Sequence, residues 1–236
     1  MPNYEQEVLR EALRWEKKIQ RNSSLIQKTS KKIQTKINQK IPDQVHDVIT
    51  ESIRKMIELS LTGSSYIYPL HVDPEWDLKR REEEITRRKI QYRRTAAIEG
   101  AGTGAGGILL GMADFPMLLS IKMKFLFDTA RIYGYDVDQY EEKMYLLHVF
   151  MLAFSSDEKR KHVFKTLRNW EKEVTVWKDV DWKTLQLEYR DTIDLIKMLQ
   201  LIPGFGAVVG AWANSKLLNE LAETAMNMYR LRLFDP

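Results

Sequence analysis

Cysteine is absent from the 236-residue chain. That excludes disulfides, a thiol nucleophile and a cysteine-ligated zinc, and it suits a reducing compartment. Histidine is limited to His46, His71, His148 and His162, none in HExxH or at another metal-ligand spacing, so no metal centre or cofactor is expected. Strand-like alternation is nearly missing: only SSYIYPLHV has that character, and Pro69 keeps it short. Membrane spans are lacking too, since a crossing takes about 20 apolar residues. The two candidate stretches hold 14 uncharged residues (100–113) and 18 (198–215), and Pro203, three glycines and Asn214 interrupt the second. A full crossing is not expected, although a shallow hairpin-like insertion stays open. The N-terminal MPNYEQEVLREALRWEKK has no apolar core of a secretory signal, so a cytoplasmic location is expected.

Charge is distributed unevenly. The net charge of +4 is too small to argue for nucleic acid, and no nucleic-acid partner is expected. Acidic residues are missing altogether from 17–41, which carries eight Lys or Arg. Ile19, Ile26, Ile33, Ile37 and Ile41 recur there on one helical face. Such a helix can rest on an anionic membrane surface through Lys28, Lys31, Lys32, Lys36 and Lys40. It can equally be a core-facing helix whose solvated side is basic.

Glycine, by contrast, is concentrated. Six glycines fall between Gly100 and Gly111, followed by Asp114 and Pro116. A helix interior would lose about 5 kcal/mol to them relative to alanine, so close approach of another backbone, or of a ligand's phosphates, is implied. One hundred residues later IPGFGAVVGAWAN echoes the pattern, with GxxxG in each copy, Gly107 to Gly111 and Gly206 to Gly210. Small residues four apart let helices pack closely, so the two elements are expected to face each other in the core.

The remaining segments repeat at three and four and end at cap residues. A helix from Asp43 should stop at Gly63, and Asp73-Pro74 should open the next. That helix is charged and mostly solvated, and it brings Arg93 and Arg94 to the glycine-rich stretch. Asp138 should start a helix burying Tyr140, Met144, Leu147 and Met151, and 155–158 reads as a capping box. Trp170, Trp177 and Trp182 read as core residues or as an interfacial belt. The expected fold is all-α, one domain over 1–236 with about seven or eight helices and at most a short strand pair at 66–72.

Catalytic patterns mostly fail. Gly102, Gly104 and Gly107 satisfy GxGxxG, but they follow a charged helix rather than a strand. No Lys-Ser or Lys-Thr follows for a phosphate loop, and no GxSxG is present. Asp114 reads as a helix N-cap with Pro116 in the first turn, or as a ligand-binding carboxylate. Glu99 could be a buried partner of Arg93 or Arg94.

With these motifs laid out, the chain resembles the EcsC family of bacterial proteins. The resemblance rests on GAGGILLGMADFPMLL and TARIYGYD, then on IPGFGAVVGAWAN and TAMNMYRLR. Family members are encoded beside the ATPase and permease of an ABC transport system, which implies a role connected with the membrane and one of those subunits as partner. No reaction transfers with the resemblance, so no catalytic residue does. Gly107, Gly111, Asp114, Pro116, Pro203, Gly204, Gly206, Gly210 and Asn214 carry over only as motif positions of unknown role. The expected function is a non-enzymatic accessory protein, peripheral at the membrane. The alternatives are a hydrolase-like enzyme on lipid or peptide, using Asp114 with a histidine, and a carrier for an apolar ligand. The C-terminal tip, with Arg230 and Arg232 beside Tyr229, Leu231 and Phe234, reads as a partner contact or as a favourably charged helix end.

Overall fold

In α5 (Tyr140–Phe154) every residue from 142 to 154 is buried. Its sequence KMYLLHVFMLAF is apolar around the whole cylinder, which only a helix enclosed by other helices can tolerate. The computed structural model describes residues 2–21, 43–62, 70–103, 115–155, 157–172 and 207–234. Among them lie α1 (Pro2–Gln20), α2 (Asp43–Thr62), α3 (Leu78–Thr103) and α4 (Phe115–Tyr133), then α5, α6 (Asp157–Arg168) and α7 (Ala207–Phe234). A further helical turn begins at Trp170. Apart from one isolated bridge residue, Ser155, all regular structure among the described residues is helical, as the periodicity predicts.

The helices share one hydrophobic cluster. α4 contributes Phe115, Leu118, Leu119, Phe125, Leu126 and Phe127, and α7 adds Leu217, Leu221, Ala225 and Tyr229 against α5. Each fully buried Phe or Leu contributes about 1.5–3 kcal/mol, so this cluster is the main source of stability. Among the described residues α5 is the enclosed element, with α4 and α7 packed on it. Trp15 and Trp170 close the core edges, at 7% and 4% exposure. Trp177 and Trp182 lie outside the described residues.

Several helix ends differ from expectation. Asp73 and Pro74 form a turn, in which Asp73 Oδ1 accepts from the Glu75 amide at 3.0 Å. The cap of α3 is Asp77, whose Oδ1 accepts from the Arg80 amide at 2.8 Å. Asp77 wins because its carboxylate reaches the third amide of the helix, while Asp73 is spent on its own turn. Asp136 similarly bonds the Asp138 amide at 3.0 Å, which delays α5 to Tyr140. The Ser155 hydroxyl donates back to the Leu152 carbonyl at 3.0 Å at the end of α5; Ser156 of the expected capping box lies outside the described residues. Leu70 to 72 are irregular, and the rest of the expected strand pair lies outside the described residues.

α4 ends as its Tyr133-Gly134 sequence demands. Gly134 adopts φ 96°, and the Tyr135 amide reaches back to the Ala130 carbonyl at 3.0 Å. Arg81 of α3 donates to the Ile132 carbonyl at 3.1 Å, satisfying another terminal acceptor.

Candidate functional site

Arg230 and Arg232 are two positions apart on α7, so about 200° separates them around the helix. They project to opposite sides of Tyr229, which is fully buried. Each arginine meets a buried glutamate, Arg230 with Glu82 and Arg232 with Glu142.

The first pair joins four helices. Glu82 of α3 accepts from Arg230 Nε at 2.7 Å and Nη2 at 2.6 Å. Tyr133 of α4 donates to the same carboxylate at 3.0 Å, and Tyr4 of α1 at 2.7 Å. Arg230 Nη1 reaches Glu11 at 3.1 Å and Asn227 Oδ1 at 3.4 Å. Burial works against the guanidinium charge, but the Glu82 hydrogen bonds and charge outweigh it, and the Arg230 pKa is raised. The Tyr4 and Tyr133 hydroxyls are pushed above the ordinary tyrosine range by burial and by Glu82. The carboxylate thus has donors on both oxygens, as a buried charge requires.

The second pair lies beside a cleft. Glu142 of α5 accepts from Arg232 Nη1 at 2.6 Å and from the Tyr229 hydroxyl. The Arg232 guanidinium is sandwiched between Tyr135 and Tyr145, 4.2 Å and 4.4 Å from their ring centroids. Burial raises the Glu142 pKa, against the opposing pull of Arg232 and Tyr229. A cleft of about 200 Å³ opens next to this pair, lined by Tyr145, Trp170, Glu171 and Arg232 among others. A buried carboxyl with a raised pKa beside a cleft is the pattern of a general acid. Here both of its oxygens face structural donors from α7, so the arrangement holds α5 to α7.

A third polar cluster joins α3 to α4. Asp128 accepts from Arg88 at 2.9 Å, Tyr92 at 2.7 Å and Lys124 at 3.3 Å. Glu84, also buried, holds Arg87 at 2.7 Å and Arg88 at 2.9 Å. Glu82 and Glu84 of the supposedly solvated helix therefore point inward. The signal was the run of charges of both signs in KRREEEITRR, which reads equally as surface pairing.

The residues expected to matter fall as follows. Pro116 sits in the first turn of α4, as its fixed φ and missing N–H allow, and is exposed. Gly210 and Asn214 lie within α7, which begins at Ala207 and runs unbroken to Phe234. Gly107, Gly111, Asp114, Pro203, Gly204 and Gly206 lie outside the described residues. So do Lys28, Lys31, Lys32, Lys36 and Lys40. α3 and α7 pack on each other, with Glu82 against Arg230; the expected facing of Gly107 and Gly111 on Gly206 and Gly210 lies outside the described residues. His148 is buried among aromatics, its Nδ1 donating to the Met144 carbonyl at 2.8 Å and its ring 5.1 Å from Trp170. Burial lowers its pKa to about 4. His71 and His162 are exposed. At the C-terminal tip Tyr229, Arg230 and Leu231 are buried, Arg232 and Phe234 are half-buried, and Leu233 between them is exposed. Sequence reasoning missed the inward arginines because their glutamate partners are 148 and 90 positions away. Among the described residues no cluster of His, Asp or Glu could hold a metal, and no helix is long and apolar enough to cross a membrane.

This fold and these pairs define an all-helical protein whose core is cross-linked by arginine–carboxylate contacts. The chain belongs to the EcsC protein family, whose model matches residues 6–234. It is 47% identical to "Protein EcsC" of Bacillus subtilis (strain 168) over 226 residues, covering 96% of this chain and 94% of the relative. It is also 33% identical to "Uncharacterized protein YdbA" of the same organism over 142 residues, 58% of this chain and 52% of that protein. No solved structure matches.

Proposed function

We propose that the protein is a non-enzymatic accessory component of an ABC transport system. In this reading it is peripheral to the cytoplasmic face of the membrane and contacts the anionic surface and the ATPase or permease subunit. The transporter part rests on the family resemblance. The observation that carries the non-enzymatic part is the state of Glu142. An acid or base must exchange its proton with a substrate, whereas this carboxyl is held by Arg232 and Tyr229 on two sides. Glu82 and Asp128 are likewise bonded to side chains of neighbouring helices, and Glu84 is held by Arg87 and Arg88 of its own helix.

The test uses the full chain, tagged and expressed together with the transporter encoded beside it. Cross-linking should recover the ATPase or permease subunit, and the isolated chain should sediment with anionic vesicles at low salt. Glu142→Gln should leave both contacts intact. Failure of the parent protein in both assays overturns the reading, and loss of activity of the transport system with neither contact would point to an enzyme.

A further inference from the structure

Between Glu84 and Glu99 the chain has no acidic residue and five basic ones, Arg87, Arg88, Lys89, Arg93 and Arg94. The stretch lies on α3, and the inward line of that helix is already accounted for. Arg88 and Tyr92 point at Asp128 of α4, and Ile85 is fully buried. The opposite side is open: Thr86, Arg87, Ile90, Gln91, Arg93 and Arg94 are all exposed. Arg87 leans back on Glu84 at 2.7 Å. Among the described residues Arg93 and Arg94 have no ion-pair partner.

Ile90 makes this face more than a solvated charge run. It is one of few large apolar side chains left exposed, at 37%. Arg87 stands three positions before it, Arg93 three after and Arg94 four after, so all three arginines neighbour it on the helix surface. An isoleucine ringed by guanidinium groups matches a phospholipid surface in two ways. Guanidinium forks bind phosphate oxygens in pairs, which an ammonium does less well. The apolar centre can enter the boundary between headgroups and acyl chains.

We infer that the exposed face of α3 around Ile90 is the surface that lies against anionic phospholipid headgroups, held by Arg87, Arg93 and Arg94. This rests on the peripheral-membrane reading and assigns it to a part of the chain other than the expected lysines 28–40.

The test is sedimentation of the full-length protein with phosphatidylglycerol vesicles at low salt, with phosphatidylcholine vesicles as reference. Arg93→Gln/Arg94→Gln should lower the partition coefficient about thirty-fold. A control double variant, Lys55→Gln/Lys165→Gln, removes the same charge at exposed positions on α2 and α6, away from α1, α4 and α7, the helices that pack on α3. It should lower binding less than about three-fold, because distant surface charge is screened. Because the chain lacks cysteine, Ile90→Cys introduces one unique thiol for an environment-sensitive dye. Its emission should shift to the blue with phosphatidylglycerol vesicles and stay unchanged with phosphatidylcholine. If the parent binds and the arginine variant falls no further than the control, this face is overturned and the peripheral reading stands. If the parent ignores vesicles but binds polyglutamate through these arginines, the occupant is an acidic protein segment and the lipid assignment is overturned. If the parent binds neither, the face and the membrane part of the proposed function fail together.

Discussion

Arg230→Met tests whether the four-helix ion pair holds the fold together. In the parent, Glu82 is 3% exposed and receives two hydrogen bonds from Arg230, one from Tyr4 and one from Tyr133. Methionine keeps the aliphatic stem but leaves the buried carboxylate with two neutral donors. Removing one partner of a buried pair costs about 3–5 kcal/mol, a large share of the roughly 5–15 kcal/mol that holds a domain folded. Glu82→Gln is milder, about 1–3 kcal/mol, because Arg230 keeps Glu11 and Asn227 and remains near solvent through Glu11. The double variant Glu82→Leu/Arg230→Met should lose less than Arg230→Met alone. It strands no charge, and its main cost is the buried Tyr133 hydroxyl. Urea unfolding followed by circular dichroism reads all three variants, with an unchanged slope expected. A loss below about 1 kcal/mol for Arg230→Met, or a double variant that loses as much as Arg230→Met alone, refutes the reasoning.

Burial lowers the His148 pKa to about 4 from 6.5, so the unfolded chain binds its proton first as pH falls. Stability should therefore drop between those values by at most roughly 3 kcal/mol from this group, and His148→Leu should remove that part of the acid loss. Lys122, 1% exposed on α4, has its pKa lowered by burial to about 7 from 10.5. Its share of stability should rise with pH across that window, and Lys122→Met should flatten the rise in urea titrations at successive pH values. Gly134→Ala should cost roughly 1–2 kcal/mol in the same assay, because φ is positive and the new Cβ would stand 2.9 Å from Arg81 Nη1. Arg232→Lys keeps a charge opposite Glu142 but loses the planar stack between Tyr135 and Tyr145, so a melting shift equivalent to about 1 kcal/mol is expected.

Local chemistry alone settled a good part of this protein. The all-helical class follows from spacing at three and four, and the end of α4 from Tyr133-Gly134, since only glycine takes that φ without cost. Pro116 in a first turn and family membership were legible for the same reason: each depends on residues adjacent in sequence. Caps shifted by a few residues because Asp73, Asp77, Asp136 and Asp138 are chemically equivalent, and only chain geometry chooses among them. For α5 a single buried face of Tyr140, Met144, Leu147 and Met151 was expected, whereas every residue from 142 to 154 is buried, because helices from several sides surround it. Long-range pairing was the part that tertiary structure decided. Arginine or glutamate on a helix reads as a solvated face unless the partner is known, and Glu82 meets Arg230 only when α3 and α7 pack. The same packing leaves Ile90, Arg93 and Arg94 outward while it turns Glu82, Glu84 and Arg88 to their partners, because a helix can bury only one side against its neighbours.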